Sequence, residues 1–301
     1  MSAKKYLVVG LGEVLWDLMP GGKQLGGAPT NFAYITKLLG DSGVVASRIG
    51  NDELGREARA ALEKLGVRTA HVQSDPTHAT GTVKVQLDQA GQPRFEISEN
   101  AAWDFLVWTP EWKTLAHEAD AVCFGSLAQR APASRETIRH FVNATGRDAT
   151  RIFDVNLRQN FFSKEVLAES ASCADIVKLN EDELPTVMAL LGKGHGDDES
   201  SAERLRDAFG LKLVCVTRGA RGSVLVGEAS SDRHPGYSVR VADTVGAGDA
   251  FTAALVHHYL RGASLAAMNE AANRVGSWVA SQVGGTPAPN AAQMREVFAA
   301  V

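Results

Sequence analysis

The chain has 301 residues, 45% of them hydrophobic, and a formal net charge of -4; it can fill a large core but offers no basic surface for nucleic acid or acidic membranes. Cys123, Cys173 and Cys215 are odd in number and widely spaced, which indicates neither a disulfide framework nor a zinc site. The apolar run after Lys4 and Lys5 is too short for a signal peptide. We therefore expect a cytoplasmic protein with small-molecule partners.

Short β-branched segments alternate with amphipathic segments along most of the chain. Strands are predicted at residues 6–9, 44–49, 121–124, 152–155, 174–177 and 213–217, and helices at 28–39, 53–65, 133–144, 181–191 and 202–209. Gly40 and Gly66 follow the first two helices, where glycine commonly ends a helix. This alternation predicts a mainly parallel sheet covered by helices on both faces.

Residues 80–98 break this rhythm. Residues 80–87 alternate with period two, residues 89–93 supply a turn and residues 94–98 resume the extended pattern, which predicts a β-hairpin. Half-polar strands fit poorly in a buried sheet, so we expect a lid over a ligand cleft or a dimer contact. A hairpin without a function is the alternative.

The last third of the chain is predicted to become helical. Residues 192–201 are polar and acidic and predict a surface loop. Two more strands are predicted, followed by three helices. The strands are at 223–226 and 238–241, and the helices are at 247–259, 265–282 and 291–300.

Residues 243–251 read DTVGAGDAF, a turn that runs directly into a helix. Gly246 and Gly248 allow a tight turn, so that the free amides at the start of the helix can bind an anion such as phosphate. Asp249 could accept a proton from an attacking hydroxyl, with a pKa lowered by the helix end. Asp243 could brace the turn or bind a cation. Ordinary helix capping is the alternative.

Two segments near the amino terminus are candidates for binding a sugar. Gly26 and Gly27 open a helix with Asn31 one turn in, and the Asn31 amide can donate and accept hydrogen bonds. A plain helix entry is the alternative. Asp17 is expected at the carboxyl end of a central strand, where open α/β sheets bind ligands. A structural role for Asp17 before a turn is the alternative.

Three later segments add polar groups at predicted strand ends. Asn156 and Arg158 follow one strand, and Arg158 could clamp a substrate oxygen or form a surface salt bridge. Asn180 and Glu183 follow the next strand, where Glu183 could bind Mg²⁺ through water, or the pair could be a capping box. A turn formed by Thr217, Gly219 and Gly222 follows the next strand. This turn suits the outer phosphates of a nucleotide, or it simply closes a hairpin.

These motifs, in this order, resemble the ribokinase-like, or PfkB, family of carbohydrate kinases over nearly the whole chain. The most specific match is DTVGAGDAF at 243–251, and GGAPTNFA at 26–33 is similar to the fructokinase branch. The resemblance implies an α/β, ribokinase-like three-layer sandwich with a small β-hairpin lid. It implies a single kinase domain over 1–301, with lid elements at about 13–25 and 80–98.

The resemblance also implies an activity. ATP with Mg²⁺, and in many relatives K⁺, would phosphorylate a sugar hydroxyl, and a homodimer could form through the lid. Fructose is the favoured substrate, and the other candidate substrates are 2-keto-3-deoxygluconate, tagatose, ribose and nucleosides. Residues 159–162 read QNFF, unlike the usual Leu-Trp ending, which leaves the sugar open.

The resemblance assigns roles to individual positions. Asp249 matches the catalytic base, and Gly246, Ala247 and Gly248 match the anion hole. The sugar-binding positions are Asp17, Gly26, Gly27, Asn31, Asn156 and Arg158. The nucleotide-binding positions are Asn180, Thr217, Gly219, Gly222 and Asn273. Glu183 matches a Mg²⁺ position, and Asp243 a K⁺ position.

The sequence disfavours three other classes of protein. A nicotinamide dehydrogenase is disfavoured because no G-x-G-x-x-G follows the first strand. A P-loop kinase is disfavoured because its glycine-rich signature is absent from the sequence. A non-catalytic sugar or nucleotide sensor would not need Asp249.

Overall fold

The strands form two separate sheets in the computed structural model, which describes residues 4–19, 21–87, 93–194 and 196–298. The strands are β1 Leu7–Leu11, β2 Leu15–Met19, β3 Gly22–Gly26, β4 Ser42–Gly50, β5 Val72–Asp75, β6 Gly81–Leu87, β7 Pro93–Ile97, β8 Ala121–Gly125, β9 Thr150–Asp154, β10 Ile176–Asn180, β11 Leu213–Thr217, β12 Ser223–Gly227 and β13 Ser231–His234. The helices are α1 Ala28–Leu38, α2 Glu53–Lys64, α3 Pro110–Glu118, α4 Pro132–Asn143, α5 Lys164–Cys173, α6 Glu183–Leu191, α7 Asp198–Phe209, α8 Ala247–Tyr259, α9 Leu265–Ala280 and α10 Ala291–Val297.

The larger sheet has the order β13-β12-β11-β10-β9-β8-β1-β4-β5 and is parallel except where β12 and β13 join it. Its middle strands are apolar on both sides because helices cover both faces. One face packs on α3 to α7 through side chains such as Trp112 and Phe141. The other packs on α1, α2, α8, α9 and α10 through side chains such as Ile35 and Leu255. The predicted three-layer α/β fold is confirmed.

The smaller sheet has the order β3-β2-β6-β7, so it joins the two segments that were predicted to lie outside the main sheet. β2 pairs in parallel with β6, and the other two pairings are antiparallel. Trp16 in β2 donates its indole N–H to Leu54 O at 2.9 Å, which ties this sheet to α2. The predicted turn at 89–93 lies outside the described residues except for Pro93, which begins β7.

Several sequence predictions differ from the structure. The strand predicted at 238–241 was wrong: β13 is the partner of β12, and Pro235 ends it because proline cannot donate to a ladder. The loop predicted at 192–201 was wrong at its end. α7 begins at Asp198, after Asp197 caps it by accepting from the amide of Ser200 at 2.8 Å. The pattern also missed β5, α3 and α5. The helix predicted to residue 300 ends at Val297, and residues 299–301 lie outside the described part.

Within the ranges that the structure describes, we find no helix with the length and apolar character needed to cross a membrane.

Candidate active site

A cleft of about 300 Å³, counting the part open to solvent, lies at the carboxyl ends of β8 and β9. The first residues of α1 and the first turn of α8 also line it, so two helix starts and two strand ends meet there. This is the position at which open α/β sheets bind ligands. The ionisable side chains that line it are Glu13, Cys123, Asp154 and Asp249.

The turn before α8 needs glycine at position 246. Gly246 has a φ of 76°, in the left-handed region, and a side chain there would collide with the backbone of Gly285. Gly285 is itself confined, because a Cβ on it would lie 2.5 Å from Asn31 Oδ1. The turn, residue 285 and Asn31 are therefore packed together. The sequence analysis missed Gly285, although the pair Gly284-Gly285 is a visible signal.

Two backbone amides at the start of α8 are free for a ligand. The Ala247 amide donates to Thr244 O at 3.3 Å. In the described part of the chain, no hydrogen bond uses the amides of Gly248 or Asp249. Unused amides at a helix start form an anion-binding site. Two donors are thus available where the sequence predicts a phosphate site, and the site itself stays a prediction.

Asp249 lies on the cleft wall and is held by one side chain. Its Oδ2 accepts a hydrogen bond from Asn31 Nδ2 at 2.8 Å. Asn31 is 3% exposed, and its Oδ1 has no partner among the described residues. A buried acceptor without a partner is costly in a protein interior. It could accept a hydrogen bond from a ligand hydroxyl.

The pKa of Asp249 is raised to about 6. Burial is the largest cause and the charge of Asp154 adds to it, while the Asn31 hydrogen bond and the charges of Lys178 and Arg158 oppose it. The predicted lowering of this pKa by the helix end was wrong because burial and a second carboxylate outweigh it. Asp249 is therefore a stronger base than expected, and it is still mostly ionised at neutral pH.

Glu13 is a site residue that the sequence analysis missed. It is 4% exposed, lines the cleft, and its Oε1 accepts from the amide of Ala28 at 3.3 Å. Burial raises its pKa to about 7, and the charge of Asp249 adds to this effect. The signal was a glutamate immediately after Gly12, just beyond the carboxyl end of β1.

Asp17 does not lie where the sequence placed it. It is inside β2 of the smaller sheet rather than at the end of a central strand. A side chain on Gly26 would collide with Asp17 Oδ2, so the two pack closely. The pKa of Asp17 is raised to about 6, first by burial and then by the charge of Asp243, against the charge of Arg158. Asp17 therefore lies within electrostatic reach of Asp243 and Arg158.

The segment after β9 brings Asn156 and Arg158 to the site. Asn156 lines the cleft with a φ of 45°, which asparagine tolerates better than most residues. Its carbonyl accepts from Ser126 Oγ at 3.3 Å. Arg158 is exposed and lowers the pKa values of both Glu13 and Asp249. One guanidinium therefore balances several carboxylates.

Gly27 is confined by the segment that follows β1. Its φ is 104°, and a side chain there would collide with Glu13 O. Glycine is therefore required at this helix entry. Of the predicted sugar-binding positions, Asn156 lines the cleft, and Asn31 bonds Asp249 on its wall. Asp17 packs against Gly26, and Arg158 lowers the pKa values of Asp17 and Asp249.

Asn180 and Glu183 form a reciprocal capping box. Asn180 Oδ1 accepts from the Glu183 amide at 2.8 Å, and Glu183 Oε2 accepts from the Asn180 amide at 2.9 Å. Glu183 Oε1 accepts from the amide of Leu157 at 2.8 Å. Because both oxygens already bind amides, Glu183 could meet Mg²⁺ only through its remaining lone pairs or water. Its role at Mg²⁺ stays a prediction.

Asp243 braces the turn before α8. Its Oδ1 accepts from the Val245 amide and its Oδ2 from the Gly284 amide, both at 3.0 Å. This is the bracing role proposed from the sequence. Its role at K⁺ stays a prediction.

Of the predicted nucleotide-binding residues, Asn180 and Thr217 end β10 and β11, Gly219 and Gly222 lie in the turn before β12, and Asn273 lies in α9. Thr217 pairs in register with Asn180. Gly219 has open space around its Cα, whereas a side chain on Gly222 would collide with His234 O. Asn273 Nδ2 donates to Ser223 Oγ at 2.7 Å, so this buried amide lies beside the same turn.

The model of the pfkB family of carbohydrate kinases matches residues 13–291. The chain belongs to this family. It is an ATP-dependent carbohydrate kinase, with a phosphotransferase activity on an alcohol group. This agrees with the resemblance that its motifs indicated.

Two pfkB relatives illustrate the similarity. A sugar kinase of Pyrococcus horikoshii is 31% identical over 288 residues, covering 89% of this chain and 88% of the relative. The Escherichia coli fructokinase is 31% identical over 268 residues, covering 85% and 84%.

Among solved pfkB-like structures, Vibrio cholerae fructokinase was crystallised with fructose, ADP and calcium. It has a TM-score of 0.80 and 26% identity, with 98% of this chain and 100% of that chain covered. A double mutant of the same enzyme was crystallised with fructose, ADP and potassium.

Proposed function

We propose that this kinase transfers the γ-phosphoryl group of ATP to a hydroxyl of fructose, with Asp249 as the proton acceptor. The observation that carries the proposal is the start of α8. There the carboxylate of Asp249 lies on an open cleft beside two unused amides. A phosphoryl group at the amides and a hydroxyl at the carboxylate would then be neighbours, which is the arrangement that phosphoryl transfer needs.

The proton step suits a carboxylate with a pKa of about 6. In a loose transition state the hydroxyl becomes acidic late, so the base must be well placed and ionised rather than strong. Asn31 holds Asp249 in place, and the amides of Gly248 and Asp249 would stabilise the charge of the moving phosphoryl group. Gly246 and Ala247 shape this turn.

A neutral sugar fits the charges of the site better than a sugar acid does. Glu13, Asp17 and Asp249 all have raised pKa values, and each is balanced in part by Arg158. A ligand carboxylate would compete for this guanidinium and repel the acidic groups. This supports fructose over 2-keto-3-deoxygluconate. The E. coli and Vibrio relatives named as fructokinases support the same choice.

The sugar would contact Asp17, Gly26, Gly27, Asn31, Asn156 and Arg158. The nucleotide would contact the turns at Asn180, Thr217, Gly219 and Gly222, with Asn273 near the adenine. Mg²⁺ bound with ATP would be held through water by Glu183 and would offset the charge of the phosphates. K⁺ would bind near Asp243. The calcium and potassium in the Vibrio fructokinase structures support sites for both kinds of cation.

Residues 1–301 would act as a single kinase domain. The smaller sheet, built from the segments near 13–25 and 80–98, would cover the sugar. It would also be the surface for any homodimer. Its attachment to α2 through Trp16 gives it a defined base from which to close.

The test is ADP release measured by a coupled assay with fructose, 2-keto-3-deoxygluconate, tagatose, ribose and a nucleoside, each with and without K⁺. The proposal expects the highest kcat/KM for fructose and a stimulation by K⁺. A higher kcat/KM for the sugar acid or for a nucleoside would overturn the choice of sugar. The matched variant Asp249→Asn should lose turnover with every substrate.

A further inference from the structure

A buried ion pair lies against the first turn of α8. Lys178 Nζ is 3.1 and 3.2 Å from the two carboxylate oxygens of Asp154, and Thr252 Oγ1 donates to Asp154 Oδ2 at 2.8 Å. These residues belong to β10, β9 and α8, so the pair joins the sheet to the helix. Lys178 is 7% exposed and Asp154 is 5% exposed. Burying an ion pair often brings no net stability, so its presence calls for another reason.

Gly248 lies directly against Lys178, which gives one reason for a glycine at this position. The φ of Gly248 does not lie in the left-handed region, so conformational freedom is not the reason. A Cβ on Gly248 would instead lie 2.9 Å from Lys178 Nζ. Gly248 therefore leaves room for the ammonium group next to the turn whose amides are unused. The tight-turn argument made from the sequence holds for Gly246 and not for Gly248.

We propose that Lys178 is a positioning residue of the transfer site: its ammonium group, held in place by Asp154, keeps Asp249 ionised and places positive charge beneath the anion-binding turn. Lys178 does not line the cleft, so it acts through Asp154, Gly248 and Asp249. The effect of Lys178 on catalysis rests on the proposed function. The effect of Lys178 on the ionisation of Asp249 does not depend on that function.

The charged groups around Asp249 shift its pKa in opposite directions. Asp154 raises the pKa of Asp249, whereas Lys178 and Arg158 lower it. Glu13 also faces Asp249, and the two acidic groups repel each other. The thiol of Cys123 lies near as well, but burial raises its pKa well above the ordinary value, so it stays neutral.

The charge state of Lys178 itself is secure. Burial alone would lower its pKa, but the charge of Asp154, followed by those of Glu183 and Asp249, raises it above the ordinary value. The ammonium is therefore present at neutral pH. Without it, Arg158 alone among the two cations would oppose the charge of Asp154, and the pKa of Asp249 would rise.

The test is the pKa of Asp249 in the ligand-free enzyme, followed by NMR of its carboxyl carbon, in Lys178→Met and Asp154→Asn. We expect the pKa to rise by about one unit or more in Lys178→Met and to fall in Asp154→Asn. Lys113→Met, on the exposed side of α3, is the control and should leave it unchanged. A purely structural pair would lower stability in both variants without moving this pKa in opposite directions, and that result would overturn the proposal.

If Lys178→Met does not fold, a second comparison of Asp249 pKa values tests the role of Lys178. The double variant Lys178→Met/Asp154→Asn buries no charge at this position, and it differs from Asp154→Asn only at residue 178. Asp249 must have the higher pKa in the double variant. Equal values would refute the role of Lys178.

Kinetics separate this inference from the proposed function. With fructose as substrate, the acidic limb of kcat should shift in the same directions as the pKa of Asp249. If no sugar in the panel is phosphorylated, the proposed function fails while the NMR experiment still decides the role of Lys178.

Discussion

Replacing Asp249 by asparagine should inactivate the enzyme and stabilise it. The folded-state pKa of about 6 against an ordinary value of 3.8 corresponds to about 3 kcal/mol of cost for the ionised form. The residue is only partly buried because it borders the cleft, so we expect a gain of about 1–2 kcal/mol. Asparagine can still accept the Asn31 hydrogen bond, so the gain should survive.

The sign of this effect depends on pH. Because folding raises the pKa of Asp249, its favourable contribution is complete below the unfolded value of 3.8 and is lost as pH rises through about 6. The variant should therefore unfold at higher urea than the wild type at about pH 7.5 and at the same urea near about pH 3.5. Turnover should fall by roughly 10²-fold to 10⁴-fold.

The assay is urea unfolding at both pH values, together with ATP binding and turnover. Asp148→Asn, at an exposed position, is the matched control and should change neither stability nor turnover. An Asp249→Asn variant with normal turnover would refute its role as base. A variant less stable than the wild type near neutral pH would refute the electrostatic argument.

Three further predictions follow from other parts of the structure. Glu13→Gln should raise the free energy of unfolding at about pH 8 and not at about pH 4, because folding raises the pKa of Glu13 to about 7; a gain that is equal at both pH values in a urea titration would contradict this. Gly285→Ala should raise the KM for the sugar roughly tenfold or more by displacing Asn31 Oδ1, which would lie 2.5 Å from the new Cβ, whereas Gly21→Ala, in open space, should not; steady-state kinetics that show equal KM values would exclude the contact. Asp41→Asn should lower the free energy of unfolding by about 3 kcal/mol at neutral pH, because Asp41 bonds His257 and Arg261 at 2.7 Å. Since these bonds outweigh burial and lower the pKa of Asp41 to about 2, its contribution is present above the unfolded value and is lost as pH falls toward about 2; a difference from the wild type that does not shrink in acid would argue against it.

The sequence predicted the framework of the site well because its signals are local. The glycine turns, the helix that starts at residue 247 and the order of strands and helices follow from short-range periodicity. Asp249 and Asn31 were chosen from separate motifs, and the structure brings them within hydrogen-bond distance.

Other features depend on contacts between distant segments and could not be predicted. The pKa of Asp249 reflects its burial beside Asp154, which is 95 positions away in the chain. The close approach at Gly248, where a Cβ would lie 2.9 Å from Lys178 Nζ, comes from a lysine on β10. Asp17 was misplaced because β2 has too few residues to be recognised apart from β1, and its partners lie in the hairpin beyond residue 80.

The central claim concerns the start of α8, and a crystal structure of the wild type with ADP, aluminium fluoride and fructose tests it most directly. The account predicts that the phosphoryl mimic accepts hydrogen bonds from the amides of Gly248 and Asp249. It also predicts that one fructose hydroxyl lies between the mimic and the Asp249 carboxylate, at hydrogen-bond distance of about 3 Å. A mimic bound elsewhere, or a fructose with every hydroxyl out of reach of Asp249, would contradict it.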